Sequence, residues 1–323
     1  MSSQSETNDY IFSLQLAQKY LFQCAGLLML ALGTISCFLN WIVFNRKTLR
    51  KNPCSIYMTA VYTINFIYIA TLMISSILSV GFGITSIIRT LGLCRFYMYM
   101  AYVLDSLSPG YLILASVDRL LITSPHARTR QRSTCRLAFI SITCMTAAWL
   151  LFHTHALVLS NVIQLGPNVF ICYTFDPTYL TAIGYYALTK SIAIPSLLIA
   201  LGVLTVRNVR KLSLNRAAPE SSGNTASTIR AVQASHHKDR QLVRIILADI
   251  GIYVLCTYPQ AGFHVYLQIT QGNMKNTDQL QVDAFIQYLF AVVGFIPYCV
   301  GLYSNLIVSK TFRNEVKSII LCK

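Results

Sequence analysis

The sequence predicts an all-α membrane protein: a bundle of seven spanning helices followed by a short amphipathic eighth helix. Three observations predict it. Of 323 residues, 54% are hydrophobic and only 11% charged, about half the charged share of a soluble domain. The apolar residues gather into seven runs, near 20–44, 54–79, 94–123, 137–162, 178–206, 241–268 and 284–306. Each is long enough to cross a hydrocarbon core of about 30 Å as a helix. Finally, Lys and Arg concentrate in alternate connections, around 46–51, 119–136, 207–244 and 310–323. The excess of basic residues on cytosolic loops then places the N-terminus outside and the C-terminus in the cytosol.

The net charge of +15 would suit nucleic acid, but its placement in one set of loops argues against that partner and fits the cytosolic rim of a membrane protein. The expected organisation is an extracellular N-terminus over 1–19, a transmembrane domain over 20–306 with a cytosolic loop at 207–240, and an amphipathic helix with a cytosolic tail over 307–323. The start, MSSQSETNDY, has neither a basic segment nor an immediate apolar run, so no cleaved signal peptide is expected. The chain contains no Asn-x-Ser/Thr site for N-glycosylation.

Along the chain, Asn40 is a lone amide in the first run, suited to bonding a neighbouring helix. Pro53 suits the first turn of the second helix, and Asn65 falls near mid-membrane within it. Gly81 and Gly83 loosen the outer turn. The third run carries Asp105 and the pair Pro109-Gly110, which predicts a kink. It closes on Asp118-Arg119-Leu120. From Cys94 to Arg119 the helix rises about 37 Å at about 1.5 Å per residue, a little more than a hydrocarbon core. The fourth run holds Trp149, with His153 and His155 toward its outer half. The spacing of two points those rings to different helix faces and argues against a shared metal. The fifth holds Lys190 and Pro195, the sixth Asp249 and Pro259, and the seventh Pro297. The last stretch, SKTFRNEVKSIILCK, sets Phe312, Val316, Ile319 and Ile320 on one face and Arg313, Glu315 and Lys317 on the other. Such a helix lies on membrane lipids at the inner surface, and Cys322 there is a candidate for palmitoylation.

The ten cysteines form no dense framework. Most lie within helices as small apolar residues. Cys94 and Cys172 fall at the outer face, where disulfides persist. A bond between them would pin the loop over 163–178 across the bundle mouth. Cys24 is the competing partner.

In order along the chain, these landmarks resemble the rhodopsin class (class A) of G-protein-coupled receptors over nearly the whole length. Asn40 resembles the family's helix-one Asn, and Cys94 and Cys172 its outer disulfide. Asp118-Arg119-Leu120 resembles the Asp-Arg-Tyr motif at the family's spacing from the cysteine. Trp149 and Pro195 match the helix-four Trp and helix-five Pro, Cys256-Thr257-Tyr258-Pro259 resembles Cys-Trp-x-Pro, and Phe312-Arg313 resembles the start of the eighth helix. There are departures. Asn65 stands where the family usually has a sodium-binding Asp, and Thr257 where it has the toggle Trp. The Asn, Pro and Tyr of the helix-seven motif fall on Gly301, Leu302 and Asn305. They are in keeping with a divergent branch, such as the invertebrate peptide or chemosensory receptors.

The resemblance implies a receptor of the plasma membrane that passes binding of an extracellular ligand to a heterotrimeric G protein. It implies that a carboxylate, Asp118 or Asp239 at the base of helix six, holds Arg119 until helix six swings out. An Arg at that depth is costly unless paired. Asp105 and Lys190 lie at similar depth near mid-membrane. They are expected to pair, directly or through a ligand between them, the alternatives being a purely structural bridge or a neutral Asp105 bonded to Ser106 or Ser108. Tyr97, Tyr102, His155, Tyr173, Tyr185, Tyr258 and His264 occupy the outer halves. Of these Tyr102, Tyr258 and His264 are the ligand-binding candidates, and the set suits a peptide or a small amphipathic molecule. Asp249 is expected to join Asn40, Asn65 and Asn305 in a polar network, the alternative being a solitary carboxyl held neutral.

Other classes fit less well. A retinal lysine would fall at Phe295. No repeats of the transporter kind occur, and no metal-ligand spacing, nucleophile elbow or phosphate loop points to an enzyme or to a cofactor. The remaining alternative is a receptor-like membrane protein that no longer couples to G proteins.

Overall fold

Each apolar run becomes a membrane-length helix, the fourth broken at His153-Thr154 and the seventh at Val300. A computed structural model describes residues 2–47, 49–50, 52–85, 89–166, 169–174, 176–216, 226–270 and 273–321, with side chains in 2–8, 165–171, 213–239 and 320 left aside. The spans are α1 (Asp9–Phe44), α2 (Pro53–Gly81), α3 (Leu91–Ile122), α4 (Cys135–Leu159), α5 (Pro177–Leu212), α6 (Arg240–Ile269) and α7 (Thr277–Cys299). After a break at Val300, α7 continues as Gly301–Val308, and α8 (Lys310–Ile320) follows.

The helix starts follow local chemistry. Asn52 caps α2, its side chain accepting from the Cys54 amide at 3.0 Å, with Pro53 at the first helical position. Thr134 caps α4, Asn276 and Gln279 form a reciprocal capping box on α7, and Ser309 caps α8. Gly83, with φ +70°, sits just past the end of α2.

The third helix is the axis. It packs against α2, α4, α5 and α6, and 56% of its most apolar stretch is buried, against 6% for α4. Pro109 lies inside it, so the Asp105 carbonyl lacks its usual helical donor. Gly110 allows close approach: a Cβ there would meet the Trp149 indole nitrogen at 3.4 Å.

Two corrections concern the connections. The expected loop over 207–240 is largely helix, since α5 runs on to Arg216 and α6 begins at Ala226. The expected loop over 163–178 contains an antiparallel hairpin, β1 (Asn161–Gly166) with β2 (Val169–Tyr173), in which Val162 faces Cys172. Cys172 is disulfide-bonded to Cys94 at the N-terminal end of α3, and Cys24 is a free, exposed thiol. Arg95 adds a 3.0 Å bond to the Ser160 carbonyl. The hairpin is thus held to α3 at its base.

At the C-terminal end of α1, Phe312 and Val316 of α8 are buried, and Phe312 packs on Phe44. Arg46 pairs with Glu315 at 2.9 Å. Cys322 lies outside the described residues.

Candidate functional site

Three polar assemblies occupy the bundle: one on the N-terminal half of α3, one among its neighbours, and one at its C-terminal end. The first is a cavity of about 350 Å³ among α2, α3, α5, α6 and α7. Asp105 stands in its wall and is ion-paired with Lys190 of α5. Its other oxygen accepts from the Tyr298 hydroxyl at 3.1 Å. Tyr298 stacks flat on Tyr68, ring centroids 3.9 Å apart. Neither Ser106 nor Ser108 holds the carboxylate. Ser106 meets His153 and Tyr186, and Ser108 donates to Asn65 at 2.6 Å.

Tyr102 and His264 line this cavity, as do Tyr97, Tyr186, Tyr253 and Gln260. Tyr258 does not. It is one-third exposed and its hydroxyl meets Ser196 of α5 at 2.9 Å. One step along a helix turns the side chain by about 100°, and Thr257 takes the cavity-facing position. Tyr185 likewise faces outward. The histidine expectation also needs correction. The rings of His153 and His155 lie 5.6 Å apart, because α4 breaks its regular turn at His153-Thr154. No group of three potential metal ligands occurs among the described residues.

The second assembly contains Asp249 of α6. It accepts from Tyr62 and from Ser304, each at 3.3 Å. Asn305 donates to Tyr62 at 2.8 Å and to Asn40 at 2.9 Å. Asn40 and Asn305 are completely buried. The network therefore joins α1, α2, α6 and α7. Asn65 is not in it: its bond to Ser108 ties α2 to α3 instead. Tyr62, three residues before Asn65, and Ser304 are the members that sequence reasoning missed.

The third assembly surrounds Arg119, which is completely buried. Its guanidinium reaches Asp118 at 2.6 Å and the Asn52 side-chain oxygen at 3.0 Å. Asp118 also accepts from Ser133, in the connection before α4. Charged hydrogen bonds on both sides offset the cost of taking the guanidinium out of water. The Asp239 side chain lies outside the described residues. Two residues on, Gln241 accepts from the Ser309 hydroxyl and the Thr311 amide, both at 2.7 Å. The base of α6 is thereby tied to the junction of α7 and α8. Asn52, Ser133 and Gln241 were not foreseen. The Asn-Pro pair signals a helix start, but not what else its cap holds.

The family model described as 7 transmembrane receptor (rhodopsin family) matches residues 35–301. Among curated proteins none matches the chain.

Proposed function

We propose, from the fact that the chain belongs to the rhodopsin family of seven-transmembrane receptors, that it converts binding of an extracellular ligand into activation of a heterotrimeric G protein. It sits in the plasma membrane with its N-terminus outside and its C-terminus in the cytosol, as the basic residues of the α1–α2 and α3–α4 connections and of α8 favour. One observation carries the reading. A single helix, α3, bears an ion-paired carboxylate in the outer cavity and a buried, multiply held guanidinium at its other end.

The ligand enters among Asp105, Lys190, Tyr102 and His264. The cavity volume is at the small end for ligand sites, so a small amphipathic molecule or the tip of a peptide fits. A group that competes for Asp105 or Lys190 disturbs Tyr298 on α7, which shares the carboxylate. Asp249, with Asn40 and Asn305, joins α6 to α1, α2 and α7 at the next level. At the inner end Asp118 and Asn52 hold Arg119, with Asp239 a further carboxylate at the base of α6. Release of these contacts and of Gln241 frees α6 to move, which is the two-state element that coupling requires. Palmitoylation of Cys322 would add a second anchor beside α8.

The test is nucleotide exchange on heterotrimeric G proteins by the purified chain, with ligands drawn first from a peptide library. Agonist-driven exchange that disappears in Arg119→Ala, with surface expression retained, is the expected result. Normal exchange in that variant rules out the role of Arg119. Folded, ligand-binding receptor that drives no exchange favours the uncoupled alternative.

A further inference from the structure

Between the inner halves of α2 and α4 lies an open groove of about 640 Å³. Its wall is apolar along Ile56, Ala60 and Ile64 of α2 and across Phe139 and Ile142 of α4. Toward the basic rim it ends at Arg50 and Ser55. Arg50 is exposed. Ser55 is 1% exposed, yet its hydroxyl has no hydrogen-bond partner among the described residues. A buried hydroxyl left this way costs free energy until an acceptor arrives. The first turn of α2 starts at Pro53, so the positive end of its dipole faces the same corner. Protein covers little of α4, which leaves this seam to lipid.

We propose that the groove binds one anionic phospholipid of the cytosolic leaflet. The phosphate sits on Arg50, a phosphate or ester oxygen accepts from the Ser55 hydroxyl, and an acyl chain follows the α2–α4 seam. Charge selects this occupant. A guanidinium and a helix N-terminus both favour an anion. A sterol offers them only a hydroxyl, and a zwitterionic lipid brings its own cation. The leaflet assignment rests on the orientation proposed above, but binding in micelles does not depend on it, so the two can fail separately.

The full-length chain, purified in detergent micelles, is equilibrated with equal amounts of phosphatidylserine and phosphatidylcholine. Native mass spectrometry counts the lipid retained. The wild type is expected to keep one phosphatidylserine in preference to phosphatidylcholine. Arg50→Gln lowers that preference about fivefold, the contribution of one basic residue facing anionic lipid. Arg132→Gln, an exposed cation outside the groove, leaves it unchanged. Ser55→Ala reduces retention of both lipids without lowering the unfolding temperature in lipid-free detergent. Equal preference in wild type and Arg50→Gln overturns the proposal. So does retention of an added sterol in place of phospholipid.

Discussion

Asn52→Ser separates two jobs that one side chain performs. Asn52 caps α2 through the Cys54 amide and accepts from Arg119, each at 3.0 Å. Serine caps a helix about as well as asparagine, but its shorter side chain does not reach the guanidinium. The substitution therefore removes the Arg119 contact and keeps the helix start. A hydrogen bond to a charged group contributes about 1.5–3 kcal/mol. If that bond exists only while Arg119 is held, its loss shifts the balance toward the released state by about 10- to 150-fold. Asp118 still grips the same guanidinium at 2.6 Å, which places the expectation near the lower end, about tenfold. The assay is ligand-free nucleotide exchange on a G protein, normalised to folded receptor. Asn52→Asp should act in the opposite direction, since a carboxylate holds the guanidinium more strongly. Basal exchange equal to wild type in both variants, with unchanged unfolding temperatures, would refute the reasoning.

Three further expectations follow from contacts elsewhere. Exchanging the charges of Asp105 and Lys190 together should restore ligand response that either single exchange loses, as measured by dose–response of signalling; no rescue counts against the pair. Gly301→Ala would place a Cβ 2.6 Å from the buried Tyr62 ring, so thermal unfolding should report a loss of about 1–3 kcal/mol from overpacking, and an unchanged unfolding temperature would show that the ring yields. Cys172→Ser opens a link spanning 78 residues and should cost about 2–5 kcal/mol, with less receptor at the cell surface by flow cytometry; wild-type stability would mean the hairpin is held by other contacts.

The spans were legible because a bilayer demands long apolar helices, and the chain supplies seven of them. Helix depth was legible for the same reason: rise per residue fixes it. Rotation about each helix axis was not. Asn65 and Tyr62 lie one turn apart on α2, yet only Tyr62 reaches Asp249, while Asn65 turns to Ser108. Tyr258 sits at the right height for a ligand, but Thr257 has the inward azimuth. The hairpin had a signal in two short β-branched stretches flanking Gly166, but its place between two spanning helices made a plain loop the simpler reading. Asp118, beside Arg119 in sequence, was legible as its partner, but Asn52, and Ser133 on Asp118, come from connections distant in sequence. Packing brings them together, and no local pattern announces it. The ends of α5 and α6 ran past expectation because polar helix continues beyond the membrane, where an apolar run gives no signal.

The central claim is that α3 carries its cavity outward and Arg119 inward, which, for the third of seven spans, needs the N-terminus outside and the C-terminus in the cytosol. Epitope tags at the two chain ends test it in whole cells. The account predicts staining of the N-terminal tag on intact cells and of the C-terminal tag only after permeabilisation. Both tags exposed on the same side of the membrane would contradict it.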